Sequence, residues 1–271
     1  MNRKIIINAL SFMILALIFM IGSVQAETSE PANRKPEIEE NAMAILKKMA
    51  DFLSKTQRFS VTAEIGYDAV QNSGQKIEFG SMRNITILRP NRARVDVQDR
   101  SGSQSGVIFD GKEISVFSAD QKVYATTPKT GTIDDAFDYF TNELDMVLPL
   151  SQLLSNNLSA KLPQLMSSLT YVERSTIAGI SCDHMAGRND SVDFQVWVSM
   201  GDKPLPQRIV ITYRHEVGQP QFWAQFSNWN LTPKISDSLF AFVPPKGAQK
   251  IPFAPWKPAS AEEETVEGGK K

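Results

Sequence analysis

Long segments in which apolar and polar residues alternate constrain the fold of this chain more than any other feature. One such segment covers residues 59–69 and a second covers 76–89. Because the side chains of a strand point alternately to its two faces, a period of two predicts half-buried β-strands. Turn signals, among them Asn72-Ser73-Gly74 and Asp110-Gly111, separate consecutive segments. The pattern therefore predicts antiparallel hairpins.

Two other regions have helical spacing. Apolar residues recur at helical intervals from about 36 to 58, which predicts an N-terminal helix. In the middle of the chain, Thr132 precedes Asp135 by three residues, as in a capping box. Shorter helices or turns are predicted at 147–154 and 158–166.

The order of these elements predicts the fold class. The pattern contains about eleven strands, six before the helical middle and five after it. One antiparallel sheet of that size must curl, and helices must cover its apolar face. We therefore expect a mainly β fold with helices (α+β), in which a curled antiparallel sheet forms an incomplete barrel under an N-terminal helix and a central helical lid. Such a sheet encloses an apolar cavity, which predicts a carrier of an apolar molecule.

Residues 1–26 have the order of a secretory signal peptide. Arg3 and Lys4 precede an apolar run at 5–21, and small residues lie around the predicted cleavage site after Ala26. The alternative is an uncleaved membrane anchor, but the run is short for a span and no basic stop-transfer cluster follows it. We expect export to the periplasm of a Gram-negative bacterium, with a loose linker at 27–35, one domain at 36–256 and a disordered tail at 257–271.

Composition argues against several classes of function. The 29 Lys+Arg and 30 Asp+Glu give a net charge of −1, which provides no basic surface for a nucleic acid. A single cysteine, Cys182, excludes an intramolecular disulfide and a thiolate-cage zinc site. Cys182 and His184 share one strand face, but without further ligands they are interpreted as packed strand residues. We expect no enzyme activity, no metal and no cofactor.

Four short motifs, in order, resemble the LolA-like lipoprotein carriers of the bacterial periplasm. They are an "RPN" turn with its flanks, the start of the next hairpin, a central lid segment and a C-terminal "F-x-F-x-P-P-x-G" end: Leu88-Arg89-Pro90-Asn91-Arg92-Ala93-Arg94, Asp110-Gly111-Lys112, Leu148-Pro149-Leu150 through Leu153-Leu154, and Phe240-Ala241-Phe242-Val243-Pro244-Pro245-Lys246-Gly247. Their order and spacing hold from about 43 to 253. Residues 193–197 and 203–206 look closer still to a branch of predicted periplasmic proteins, a domain of unknown function with the same expected fold.

The resemblance implies a soluble periplasmic carrier that binds lipid, or the acyl chains of lipoproteins, in an apolar cavity under a helical lid. Its partners would be this cargo and donor and acceptor proteins at the inner or outer membrane, and it would act as a monomer. The superfamily also includes a stress-sensor module. The alternative function is therefore a non-transporting envelope sensor or interaction module that uses the same pocket.

The resemblance also assigns candidate residues. Arg89 corresponds to the arginine that helps to control the lid in those carriers; the alternative is a strand-end arginine bound to a backbone carbonyl. Ala93 departs from the family pattern, which has an aromatic residue there. The candidates for lid control and for the cavity are Arg89, Pro90, Ile65, Phe79, Phe137, Phe140, Leu144, Leu148, Leu150 and Leu153.

We predict that the mature protein begins at Glu27, because Ala26 occupies the position that a signal peptidase reads. N-terminal sequencing of the protein isolated from the periplasm checks this cleavage. A chain that keeps Met1 and stays with the membrane fraction would instead show an uncleaved anchor.

Overall fold

The structure is a computed structural model that describes residues 37–144, 146, 148 and 150–253. The predicted signal peptide, linker and tail, and Pro149 of the predicted lid, lie outside the described residues. Among the residues that are described, no helix is long and apolar enough to cross a membrane.

The described residues form one sheet of twelve strands in the order β12-β6-β5-β4-β3-β2-β1-β11-β10-β9-β8-β7. The strands are β1 (Arg58–Val70), β2 (Lys76–Leu88), β3 (Arg92–Asp99), β4 (Gln104–Phe109), β5 (Glu113–Ser118), β6 (Val123–Pro128), β7 (Ser168–Ile177), β8 (Ile180–Arg188), β9 (Val192–Ser199), β10 (Pro206–Tyr213), β11 (Gln221–Asn230) and β12 (Gln249–Lys250). Neighbours are antiparallel except β12 and β6, which are parallel. The sheet is open, which confirms the predicted incomplete barrel.

Four α-helices cover the sheet: α1 (Glu40–Lys55), α2 (Ile133–Asp138), α3 (Ser151–Leu154) and α4 (Leu158–Lys161). A π-helical turn at Tyr139–Glu143 extends α2, and a 3₁₀ turn at Leu162–Gln164 follows α4. The predicted capping box at α2 is confirmed. Thr132 Oγ1 accepts a hydrogen bond from the Asp135 N–H at 3.3 Å, and the Thr132 N–H donates to the Asp135 carboxylate at 2.7 Å.

The predicted start of the first helix, at about residue 36, is too early, because the chain is extended just before α1 and the helix begins only at Glu40. Ile38 lies in a parallel bridge with Leu169 of β7. The Glu39 N–H donates to the Leu169 carbonyl at 2.9 Å, and the Leu169 N–H donates to the Glu37 carbonyl at 3.0 Å. These residues cover part of an edge of the sheet that would otherwise leave backbone groups unpaired.

The side of the sheet that the helices cover is called the inner face here, and the opposite side the outer face. Ala63 and Ile65 of β1, Ile85 of β2 and Ala224 of β11 mark the inner face and are all buried. Helix α1 buries its apolar side at helical spacing through Ala42, Met43, Leu46, Met49, Ala50 and Leu53. Side chains of the sheet, of α1 and of the central helices belong to one contiguous core.

The C-terminal motif lies against the outer face. Phe240 is only 2% exposed, and the ring of Phe242 lies 6.1 Å from Phe117 and 5.5 Å from Tyr124. The chain then reaches the open edge as β12, which the sequence analysis did not predict. Two residues are too few to show any periodicity.

We predict that Phe240→Ala lowers the free energy of unfolding by about 3–5 kcal/mol, the usual cost of truncating a buried phenylalanine. Denaturant unfolding monitored by circular dichroism measures it. Val243→Ala is the matched control in the same segment, since Val243 is 78% exposed and its truncation costs within about 0.5 kcal/mol. Equal effects of the two changes would contradict the packing described for this segment.

Candidate functional site

Arg89 follows the last residue of β2 and contacts the central helical region. Its side chain is buried, and its Nη1 donates to the Leu154 carbonyl at 2.9 Å and to the side-chain carbonyl of Asn156. Burial lowers the pKa of the Arg89 guanidinium, and the nearby charge of Asp134 acts in the opposite direction. The arginine therefore joins the end of a strand to a segment 65 residues further along the chain.

Asp134 completes this connection from the first turn of α2. Its carboxylate accepts the Asn156 N–H at 3.0 and 3.2 Å. The Ile133 N–H donates to the Pro90 carbonyl at 2.9 Å, so the turn after β2 also holds α2. We call Arg89, Asp134 and Asn156 the latch. Within the described part of the chain, Nε and Nη2 of Arg89 are buried without a hydrogen-bond partner, so the latch satisfies its arginine only in part.

The segment that the latch holds is called the lid and comprises the described residues of 133–164. Of the predicted cavity residues, Phe140, Leu144 and Leu150 are buried, and three others are half-buried and pack against the same core: Phe137, Leu148 and Leu153. Ile65 is fully buried on the inner face and belongs to this core as well. The structure thus brings these seven predicted residues into one apolar cluster.

Phe79 lies elsewhere. It is 47% exposed near the far end of β2, ten residues from Arg89, which is about 33 Å along a strand. Its ring is stacked on Tyr67 of β1, directly opposite in the register, with 6.1 Å between ring centroids. The predicted site residues therefore mark two ends of one inner face: the lid end at Arg89 and an open end at Phe79.

Sequence reasoning missed two polar residues that matter to this surface. Asn156 gives no signal before the fold is known, because its partners Arg89 and Asp134 are distant in sequence. Arg83 does give one: a period of two places it on the same face of β2 as Phe79 and Ile85. A charged residue within an apolar stripe was the available clue.

Cys182 and His184 are buried, and both lie on the outer face. The His184 ring is stacked on Trp197 at 4.0 Å, and its Nε2 lies 3.1 Å from the Gln195 side-chain carbonyl. Burial raises the pKa of the Cys182 thiol, which disfavours the reactive thiolate. In residues 37–253, as far as they are described, no group of three or more His, Cys, Asp or Glu side chains is arranged to hold a metal ion. Cys182 and His184 therefore lie on the opposite face of the sheet from the apolar cluster of predicted site residues.

We predict that Asp134→Ala loosens the lid, because the Asn156 N–H loses its acceptor. The rate of tryptic cleavage after Lys161, an exposed residue of α4, should rise about fivefold, as expected for losing one hydrogen bond worth about 1 kcal/mol. Asp138→Ala is the matched control, since Asp138 is exposed and carries no side-chain hydrogen bond to a described residue. Equal cleavage of both variants would show that Asp134 does not hold the lid.

Comparison with solved structures finds distant similarities. LppX from Mycobacterium tuberculosis is 15% identical, with 72% of this chain and 98% of LppX covered and a TM-score of 0.46. LprF from Mycobacterium bovis is 13% identical over 75% and 98% of the two chains, with a TM-score of 0.46. A LolA superfamily protein from Nitrosomonas europaea is 13% identical over 74% and 97%, with a TM-score of 0.37. No curated protein matches the chain.

Since all these TM-scores lie below 0.5, the family assignment depends on the sequence model of a family. The model for DUF2092, described as a predicted periplasmic protein, matches residues 42–254, which is most of the chain and all of its long strands. This match confirms the predicted resemblance to a branch of periplasmic proteins, and it agrees with the predicted localisation. The chain belongs to the DUF2092 family of predicted periplasmic proteins.

Proposed function

We propose that this protein is a periplasmic carrier that binds lipid, or the acyl chains of lipoproteins, on the inner face of its sheet beneath the lid. The observation that carries the proposal is the single apolar core shared by the lid and the inner face. The lid residues occupy the surface that an acyl chain would need. The closed lid and the cargo therefore compete for the same side chains of the sheet.

The energies of the two states are of similar size. An acyl chain of about fifteen methylenes costs about 12 kcal/mol to expose to water, at about 0.8 kcal/mol for each CH₂. The lid buries five large apolar side chains: Phe140, Leu144, Leu150, Leu158 and Leu162. Each is worth about 1.5–3 kcal/mol, so uncovering all five costs about 8–15 kcal/mol. Cargo can therefore replace the lid, and the returning lid can replace the cargo, without a large external source of energy.

The construction of the lid supports such an exchange. It consists of helices of four to six residues joined by turns, and isolated helices of this length have little stability of their own. Two hydrogen bonds from Arg89 and one from the Ile133 N–H to the Pro90 carbonyl hold it at one point, the turn after β2, and two buried nitrogens of Arg89 are left without a described partner. A segment with weak internal structure and one polar anchor can leave the sheet as a unit.

We predict that Arg89→Leu slows the dissociation of cargo. The change removes the latch from the empty, closed state and leaves the inner face intact, so the lid competes less well. Two hydrogen bonds worth about 1 kcal/mol each correspond to a slowing of about tenfold or more. Release of a fluorescent diacylated lipopeptide and of a fluorescent phospholipid to acceptor vesicles, followed by stopped-flow fluorescence, measures the rate.

Arg58→Leu is the matched control, because Arg58 is an exposed arginine at the first residue of β1, paired in register with Leu88 beside the latch. It should release cargo at the wild-type rate. Unchanged or faster release by Arg89→Leu would contradict the competition between lid and cargo. Saturable binding without delivery to any acceptor vesicle would instead favour a non-transporting sensor or interaction module.

A further inference from the structure

Arg83 places a positive charge in the apolar surface of the inner face. In the register of the sheet it lies opposite Ala63 of β1 and Val97 of β3. Ala63 is fully buried. The neighbours of Arg83 on the same face of β2, Ser81 and Ile85, are also buried, at 5% and 4% exposure. The Arg83 side chain therefore extends from a part of the inner face that consists of small and apolar side chains.

The charge of Arg83 is not matched by a described partner. Its Nε is buried without a hydrogen-bond partner, and no carboxylate of the described residues lies within 4 Å of its nitrogens. Burial lowers the pKa of Arg83, while the charge of Asp99 on β3 and the Tyr67 phenol raise it. An arginine stays protonated even so. Arg83 is half-buried, and partial removal of a cation from water without a partner is costly, so the site favours an anion that is not part of the described chain.

The surroundings indicate what else such an anion must carry. Towards one end of β2, the exposed and stacked rings of Tyr67 and Phe79 form an aromatic border, and Arg83 is half-buried behind it. Towards the other end, about 20 Å of strand separates Arg83 from Arg89, and the inner-face residues between them are apolar. These residues, Ile85 and Ile87, are buried in the core beneath the helices. A ligand that satisfies both features has an anionic head and an alkyl chain.

We infer that Arg83 binds the carboxylate or phosphate head of an anionic amphiphile whose alkyl chain lies on the inner face between Arg83 and the lid. The inference depends on the proposed carrier function and specifies the chemistry of its cargo. Asp99 is exposed and lies opposite Ser81 in the register. Its carboxylate is the described group with which the anionic head would have to compete for Arg83. The arginine gives the head a charge-assisted hydrogen bond, and the chain supplies apolar contact.

The test compares three probes with the same twelve-carbon chain: dodecanoate, dodecyl phosphate and dodecanol, titrated into the full mature protein by calorimetry below their aggregation concentrations. Wild-type protein should bind both anions about tenfold or more tightly than the alcohol, as expected for one hydrogen bond to a charged group. Arg83→Gln should remove this preference and leave the affinity for dodecanol unchanged. Arg58→Gln, on an exposed arginine of the adjacent strand, should keep the wild-type preference.

The outcomes separate the two proposals. If none of the three probes binds, the carrier function is wrong. If anions and alcohol bind equally, or if Arg83→Gln keeps the preference for anions, the carrier stands and the role of Arg83 is wrong. Acetate and inorganic phosphate distinguish the source of the anion. If inorganic phosphate binds as tightly as dodecyl phosphate, the site binds a free anion, and the inference of an amphiphilic ligand is wrong.

A measurement without ligand tests the same inference. Because Arg83 makes no described hydrogen bond through its buried Nε, Arg83→Met should leave the melting temperature of the ligand-free protein unchanged or raise it. A clear fall in the melting temperature would mean that Arg83 has a structural partner in the fold, which would contradict its assignment to a ligand.

Discussion

The apolar inner face of an open sheet is the constraint on which the rest of this structure depends. Twelve strands curl without closing, so one face needs a cover that the sheet itself does not provide. Helix α1 covers part of it with a continuous apolar side, and the lid covers more with short pieces. The two covers differ in cooperativity, since α1 has sixteen residues and α3 and α4 have four each. Exchange of the cover is therefore expected at the lid.

At each edge of the sheet, a short segment of the chain pairs with part of the edge strand. Residues 37–39 pair with Leu169 at the β7 edge, and β12 pairs with β6 at the other. Beyond β12, the Phe253 ring lies 6.1 Å from Tyr139 and 6.3 Å from Phe140, both in the π-helical turn of the lid. The C-terminal end of the described chain therefore both pairs with an edge of the sheet and packs against the lid. At the end of β2, the latch holds the lid through polar contacts.

Elements with local signals could be predicted from the sequence. Eleven of the twelve strands follow from alternation and turn residues, and the capping box of α2 follows from Thr132 and Asp135. The predicted start of α1 is too early because the pairing of Ile38 with Leu169 is a tertiary contact that overrides local helical spacing. The partners of Arg89 could not be predicted from the sequence either, because they are also tertiary contacts. Arg83 was readable as a charge on an apolar stripe, but its lack of a partner is a property of the packed sheet.

Competition between cargo and lid for the inner face is the central claim. Amide hydrogen exchange across the described chain, with and without a saturating diacylated lipopeptide, tests it most directly. Residues 151–161 should exchange faster in the cargo-bound protein, because the lid leaves the sheet, whereas exchange in the paired centres of β1 and β2 should be unchanged. Slower or unchanged exchange in residues 151–161 with cargo bound would contradict it, because cargo and closed lid would then occupy the protein together.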